Sequence, residues 1–379
     1  MRRPSRVVAL VESPYNRRDH SRFGVALLEA RGLAVEVWDL TAALHPKVAA
    51  GAAPPDPIVW PGLKKFSERS QACRALSALG AADFVVCIVG YEPGAWDVYR
   101  ALSRSKAEYC VLSATAIPTP AAKKPPRSAA ALARALFMRA PISWLGLRAP
   151  TFAIFGGERS RRARPPLTAS TEALWAHSLD YDAFLAEKDG PRGDGKTAVF
   201  LDEWVPFHPD YVRLGVSPYS SPERYYPALT AFFDRLEKTT GLSVVVAAHP
   251  RARYDPSAGA FGGRPIVHGK TAALLREARC VIAHASTSIG LAVLFGKPVI
   301  FTTTDDLRAS PEGPIIEHMA ACLGKRPLDL DHPRESDWNA ELTVDAAAYA
   351  EYRRLYLKKE GTPEAPLWEI VADRLSRPG

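Results

Sequence analysis

The stretch from Ala278 to Thr303, ARCVIAHASTSIGLAVLFGKPVIFTT, limits the fold of this chain more than any other. A short apolar run, Cys280 to Ala283, gives way to a small polar cluster of His284, Ser286, Thr287 and Ser288. A second apolar segment, Ile289 to Phe295, is stopped by Gly296-Lys297-Pro298, and Val299 to Phe301 is again β-rich. Strand, small-residue turn, helix, Gly-Pro stop and strand make a βαβ unit, which requires a parallel sheet. In such sheets ligands lie beyond the carboxyl ends of the strands, where Ser286, Thr287 and Ser288 fall. Hydroxyls and free backbone N–H groups at a helix N-terminus form an anion site, although a helix cap explains one such turn equally well.

The remainder repeats the alternation. In the first half, strands are predicted at Val7 to Val11, Ala34 to Asp39, Phe84 to Val89, Tyr109 to Leu112, Thr151 to Phe155 and Ala173 to Ala176. Helices are predicted over Ser21 to Ala30, Lys65 to Leu79 and Ala129 to Met138, the last basic and amphipathic. The first βαβ lacks G-x-G-x-x-G, which argues against a dinucleotide site there. A Gly-rich segment, Gly190 to Gly195, reads as a hinge. After it come strands at Thr197 to Leu201, Ser243 to Ala248 and Ile266-Val267, with helices over Tyr225 to Lys238 and Thr271 to Ala278. The segment Ala346 to Leu375 is helical with a break near Gly361 to Pro366. At 379 residues the chain divides into two α/β domains, Rossmann-like and facing a cleft, over 1–185 and 186–379, the last helix being free to pack back on the first.

Charge narrows the partners. The net charge is +8 and the pI about 9.2, which favours nucleotide phosphates or an anionic membrane face. Basic residues gather at Lys123, Lys124 and Arg127 through Arg139, and at Arg159, Arg161, Arg162 and Arg164. These patches lack the interleaved aromatics of a nucleic-acid module, so no nucleic-acid partner is expected. No apolar run reaches the roughly 18–20 residues of a membrane span, and the opening is too short for a signal-peptide core. Five scattered cysteines, without metal-like spacing, read as reduced thiols in a cytoplasmic protein. No metal site and no G-x-S-x-G elbow are indicated.

The chemistry-bearing residues gather at predicted strand ends. His249-Pro250 closes a strand of Val and Ala, and its imidazole can donate to a phosphate oxygen. That strand end is expected to lie beside the one carrying Ser286, Thr287 and Ser288, giving a phosphate cradle to which Arg251, Arg253 and Lys270 add charge. The proton of an acceptor hydroxyl needs a carboxylate or imidazole. The candidates are Glu12, Asp19, His20 and Glu92 in the first half and Asp202 with Glu203 in the second. For Glu12 and Glu92 the alternative reading is that each caps a neighbouring turn. Asp305 and Asp306 are read either as sugar contacts or as a helix cap.

The order strand–His249-Pro250, helix, strand–Ser286-Thr287-Ser288, helix, Gly296-Lys297-Pro298, strand resembles the C-terminal half of GT-B glycosyltransferases of bacterial surface polysaccharide synthesis. It is most similar to the sialyltransferase, polysialyltransferase and Kdo-transferase groups and to the teichoic-acid glycerophosphotransferases. The stretch Ser178 to Phe184 resembles the link that ends the first domain of many such enzymes. The resemblance covers roughly residues 175 to 305. It implies a metal-independent, inverting transferase without a separate cofactor, with His249, Pro250, Ser286, Thr287 and Ser288 holding the phosphate of a nucleotide-sugar donor. A nonulosonic acid or Kdo-type sugar on CMP is the implied donor, and a glycan or lipid-linked glycan at the inner membrane face the implied acceptor. The acidic D/E-D/E-G motif of the sialyltransferase groups has no counterpart in the first half. A CDP-polyol phosphotransferase, a sugar-nucleotide epimerase or a non-catalytic protein of the same fold are the alternatives.

Overall fold

The computed structural model describes residues 3–51, 56–120, 128–162, 164–254 and 259–377. The chain forms two compact units, Met1–Thr115 with Ala122–Leu179 and Lys359–Gly379, and Ala116–Ala121 with Asp180–Lys358. Lys123, Lys124 and Arg127 of the first basic patch lie outside the described residues.

The first unit is built on a seven-stranded sheet. Its strands are β1 Arg6–Val11, β2 Ala34–Asp39, β3 Leu63–Lys65, β4 Asp83–Cys87, β5 Glu108–Ser113, β6 Phe152–Phe155 and β7 Glu172–Trp175. They lie in the order β3-β2-β1-β4-β5-β6-β7 and pair in parallel throughout. The central strands are continuous runs of Val, Ala, Phe and Cys because helices cover both faces. Helices Arg69–Ser77 and Trp96–Arg104 cover one face, with Leu76, Val98 and Leu102 buried. On the other, Val25 and Leu28 of the helix Val25–Ala30 meet Leu367, Trp368, Val371 and Leu375 of the last helix, Leu367–Ser376.

Two expectations in this unit are corrected. The predicted helix Ser21 to Ala30 is two short helices, Arg17–Arg22 and Val25–Ala30, broken at Gly24. Gly24 has φ +60°, and a Cβ there would lie 2.3 Å from the Trp368 ring, so only glycine fits. The Trp368 indole N–H donates to the Arg22 carbonyl at 2.8 Å, using an acceptor left over at the first helix end. The helix predicted from Lys65 begins only at Arg69, because Leu63–Lys65 pairs with β2 as an edge strand.

The second unit carries β8 Thr197–Leu201, β9 Ser243–Ala247, β10 Ile266–Val267, β11 Cys280–Ala283, β12 Val299–Thr303 and β13 Leu328–Asp329. Its order is β10-β9-β8-β11-β12-β13, again all parallel. The long helix Pro222–Thr240 buries Tyr225, Leu229, Phe232, Phe233 and Leu236. The helix after β11, Ile289–Leu294, is buried on every side. It ends with Lys297 N–H donating to Ala292 O at 2.8 Å and Gly296 N–H to Val293 O at 3.1 Å. Gly296 is left-handed at φ +64° and Pro298 stands just beyond, a Schellman stop of the kind the Gly-Lys-Pro triplet announces.

In both units the first strand of the series lies third in the sheet order, with the fourth beside it. The point where strand order reverses is therefore between β1 and β4 in one unit and between β8 and β11 in the other. That is where open α/β sheets bind ligands. All five cysteines are free, with Cys87, Cys110 and Cys280 buried in strands. Among the described residues no helix is long and apolar enough to cross a membrane.

Candidate functional site

The sheet order overturns one expectation at once. The strand ends bearing His249 and Ser286 are not neighbours, because β8 runs between β9 and β11. Chain order alone would place β9 and β11 close together, but in a doubly wound sheet the opening strand occupies the middle. Asp202 and Glu203, directly after β8, thus stand between the two loops and hold each of them.

Asp202 is 4% exposed. Its Oδ2 accepts from the His249 backbone N–H at 3.0 Å and from the Tyr254 hydroxyl at 2.8 Å, and its Oδ1 accepts from Trp204 N–H at 2.8 Å. Burial raises its pKa, opposed by these donors. With three protein donors on its two oxygens, Asp202 is placed to hold the His249 loop rather than to receive a substrate proton. Glu203 turns the other way. Its Oε1 accepts from the N–H groups of His284 at 3.1 Å and Ala285 at 2.8 Å, fixing the loop that continues into Ser286. Although part of the residue is exposed, burial of the carboxyl, aided by the charge of Glu312, pushes its pKa up to about 8.

His249 is half-buried. Its Nδ1 accepts the Arg251 backbone N–H at 3.2 Å, which places the proton of the neutral ring on Nε2, the donor a phosphate oxygen requires. The His208 ring lies 5.0 Å away, and the Trp204 ring 6.5 Å away at 22°. Trp204 is left-handed at φ +50°, a conformation costing about 1–3 kcal/mol in a non-glycine residue, and Asp202 Oδ1 holds its N–H there. Arg251 shares Asp210 Oδ1 through both terminal nitrogens at 3.3 Å. Burial lowers the pKa of His208, so the second imidazole is held neutral. Pro250 is exposed, as are Arg253 and Lys270.

In the other loop, Ser286 Oγ accepts the Ser288 N–H at 3.2 Å and Ser286 O accepts Ile289 N–H at 3.1 Å. Thr287 is exposed at the tip, and Ser288 sits at the N-cap without a side-chain capping bond. The neighbouring His284 is structural. Its Nδ1 donates to Thr302 O at 2.8 Å, its Nε2 accepts from the Tyr225 hydroxyl at 2.9 Å, and burial pushes its pKa down to about 4.

The first unit repeats the device in a more open form. Glu12 follows β1, and its Oε1 accepts Gly90 N–H beyond β4 at 3.1 Å, bridging the reversal point as Glu203 does. Its Oε2 pairs with His45 Nε2 at 3.0 Å, with both side chains part-exposed. Asp19 lies in the first turn of Arg17–Arg22, whose Asn16 cap accepts its N–H at 2.9 Å. His20 Nδ1 meets the Tyr15 hydroxyl at 3.2 Å and its ring abuts Trp60. Glu92 is exposed and gripped by Arg134 at 2.7 Å, and it caps no turn by its side chain. Asp305 and Asp306 open the helix Asp305–Ala309 and are engaged, Asp306 by Ser220 and Arg224, Asp305 by Arg308 and His332. Asp305, Asp329 and Asp331 are the carboxylates that come together closely among the described residues, and Arg308 pairs with two of them.

Sequence reasoning passed over His45, His208 and Asp210 and gave Glu203 no structural role. A signal for the first two was present: His-Pro occurs at 45–46 and 208–209 as well as at 249–250, and also at 332–333.

No family model matches the chain, and no curated protein does. Solved structures do match. CalG4, the calicheamicin glycosyltransferase, is 16% identical with a TM-score of 0.54, over 99% of this chain and 100% of that one. A histidine variant of the wall teichoic acid polymerase TagF is 9% identical with a TM-score of 0.55, over 99% and 89%. A UDP-N-acetylglucosamine 2-epimerase is 13% identical with a TM-score of 0.50, over 99% and 96%. The likeness is one of fold, two parallel-sheet α/β units of GT-B type, and it spans the whole chain.

Proposed function

We propose that the chain is a nucleotide-sugar-dependent glycosyltransferase of glycan synthesis, with its donor at the strand-order reversal of the second unit. The observation that carries this reading is the pair Asp202 and Glu203, which hold the His249 loop and the Ser286–Ser288 loop on either side of β8. His249 Nε2–H, Arg251, the hydroxyls of Ser286, Thr287 and Ser288 and the N–H groups of Ser286 and Thr287 then receive the donor phosphate, with Pro250 fixing the imidazole's loop. As the acceptor oxygen attacks the anomeric carbon, the bond from that carbon to the phosphate oxygen breaks. The charge that develops on the leaving phosphate is met by His249 and Arg251.

The acceptor proton is assigned to the first unit. Of Glu12, Asp19 and Glu92, Glu12 is favoured because it is coupled to an imidazole, His45, and stands at the reversal point of its sheet. The finer reading, a CMP-linked nonulosonic acid or Kdo-type sugar passed to a glycan or lipid-linked glycan, rests on the resemblance of the His-Pro and Ser/Thr motifs. The reaction needs no metal and no separate cofactor in this reading.

Thermal unfolding with CMP, CDP, UDP, GDP and TDP, on the native protein and on His249→Ala, tests the donor site. One nucleotide, CMP in the finer reading, is expected to raise the midpoint, and the rise is lost in His249→Ala. No shift with any of the five would overturn the assignment. A second reading, transfer of a polyol phosphate from a CDP donor, is favoured by the second imidazole, His208, beside His249 and Arg251. Phosphorus retained in the acceptor product distinguishes it from sugar transfer.

A further inference from the structure

The place proposed for a phosphate holds two carboxyls, Asp202 and Glu203, directly after β8. A carboxylate repels a phosphate, so each has to be either engaged or neutral. Asp202 is engaged, with protein donors on both oxygens. Glu203 is engaged through one oxygen only. Its Oε1 accepts from the His284 and Ala285 N–H groups, one residue short of Ser286. Its Oε2 has no hydrogen-bond partner among the described residues. It is also not one of the side-chain oxygens sealed in the interior without a partner, so solvent reaches it at the entrance to the Ser286–Ser288 loop.

No cation pairs with Glu203 among the described residues. The ionisable groups that act on it are Asp202 beside it and Glu312 at the start of the helix Gly313–Cys322. The phenols of Tyr211 and Tyr225 reach it from the helices Asp210–Leu214 and Pro222–Thr240. His284, whose N–H Glu203 holds, is a neutral imidazole engaged by Thr302 and Tyr225. Two acids and two phenols give a negative charge here no support, and the carboxyl's pKa of about 8 accords with them. In the neutral acid the proton sits on Oε2, because Oε1 already accepts two N–H groups.

We infer that Glu203 is the acid of the reaction, its Oε2–H donating to the donor phosphate and passing its proton to the oxygen that leaves. As the bond from the anomeric carbon to that oxygen breaks, the electron pair goes to the oxygen, which takes the Oε2 proton. The nucleotide departs with that proton, and Glu203 is left as a carboxylate that repels it, so the same step promotes release. The acceptor's proton goes to the base assigned in the first unit, and exchange with water restores both groups. The inference rests on the donor site proposed above.

Isothermal titration with CMP and with UDP from about pH 7 to about pH 9, on the native protein and on Glu203→Gln, is the test. Native affinity is expected to fall about tenfold over that interval, because the proton that donates to the phosphate is lost as pH rises through about 8. Glu203→Gln keeps an acceptor for the two N–H groups and places an amide N–H where Oε2–H stood, so its affinity should hold level. Other groups that titrate in this interval are common to both proteins. With the nucleotide sugar of whichever nucleotide binds, Glu203→Gln is expected to keep the native KM and lose roughly 10²–10⁴-fold in kcat, since an amide donates a hydrogen bond but transfers no proton. A thermal midpoint near the native one at about pH 7 separates that loss from unfolding. Native affinity that stays level would overturn the inference, as would a Gln variant that weakens in step with the native protein or turns over at its rate. Absence of binding at every pH would overturn the donor-site reading itself, and this inference with it.

Discussion

Glu203 is a carboxyl whose charged form the fold opposes. Its folded pKa of about 8 lies above the ordinary value of 4.5, so its contribution to stability is fully present below about pH 4.5. That contribution is lost as pH rises through about 8, because the unfolded chain then sheds a proton that the folded chain retains. Glu203→Gln keeps an acceptor for the His284 and Ala285 N–H groups and removes the titration. Its midpoint is expected to fall less than the native one between about pH 5 and about pH 9, while Glu203→Ala, which strands both donors, should be less stable across that range. Parallel thermal scans decide the matter, and identical pH profiles for native and Gln proteins would refute the burial of this carboxyl. In the first unit, Glu12→Gln and His45→Ala are each expected to lower turnover by roughly 10²–10⁴-fold. Glu92→Gln should stay near native, since Arg134 already occupies that carboxylate. The Asp202-Glu203 pair was visible in the sequence. Its direction of bonding was not, because a carboxylate's partners here lie 47 and 81 residues away along the chain.

At the scale of elements, periodicity located most strands to within a residue or two, since buried parallel strands are unbroken apolar runs with few competing readings, but it passed over the helices Trp96–Arg104 and Gly313–Cys322. The helix between β1 and β2 was misread, and the cause is tertiary. Gly24 breaks it so that Trp368, from the far end of the chain, can fill the space where a side chain would stand. Gly24→Ala is expected to cost about 2 kcal/mol or more, combining a left-handed backbone with a collision. Trp368→Ala should cost about 3–5 kcal/mol, as for other large buried aromatics. Chemical denaturation of the two variants gives both figures, and a native-like Gly24→Ala would contradict the close packing described. The edge strand Leu63–Lys65 was missed because three residues, two of them lysine, carry no alternation to read.

For the whole molecule, the course of the chain matters more than its order. The second unit is nearly continuous over 180–358, whereas the first needs residues 359–379 to close one face of its sheet. A fragment of 1–185 is therefore expected to lack fixed tertiary packing, shown by weak near-ultraviolet dichroism, and to regain it when a peptide of 359–379 is added. A fragment of 180–358 should unfold cooperatively alone, having its own core of Phe200, Phe233, Ile282, Leu291 and Phe301.

What the amino-acid sequence determined by itself was local. It specified a succession of apolar strands and amphipathic helices, the Gly-Pro stop after the buried helix, and the placement of His249 and Ser286–Ser288 beyond strand ends. These features arise from side-chain period, glycine's access to positive φ and proline's missing N–H, all of which act within a few residues. Only the tertiary structure decided that β8 lies between β9 and β11, that Asp202 and Glu203 hold the loops on either side, and that His45 meets Glu12. Strand order is set by which apolar faces bury one another, a free energy summed over residues far apart in the chain, and no local pattern records that sum.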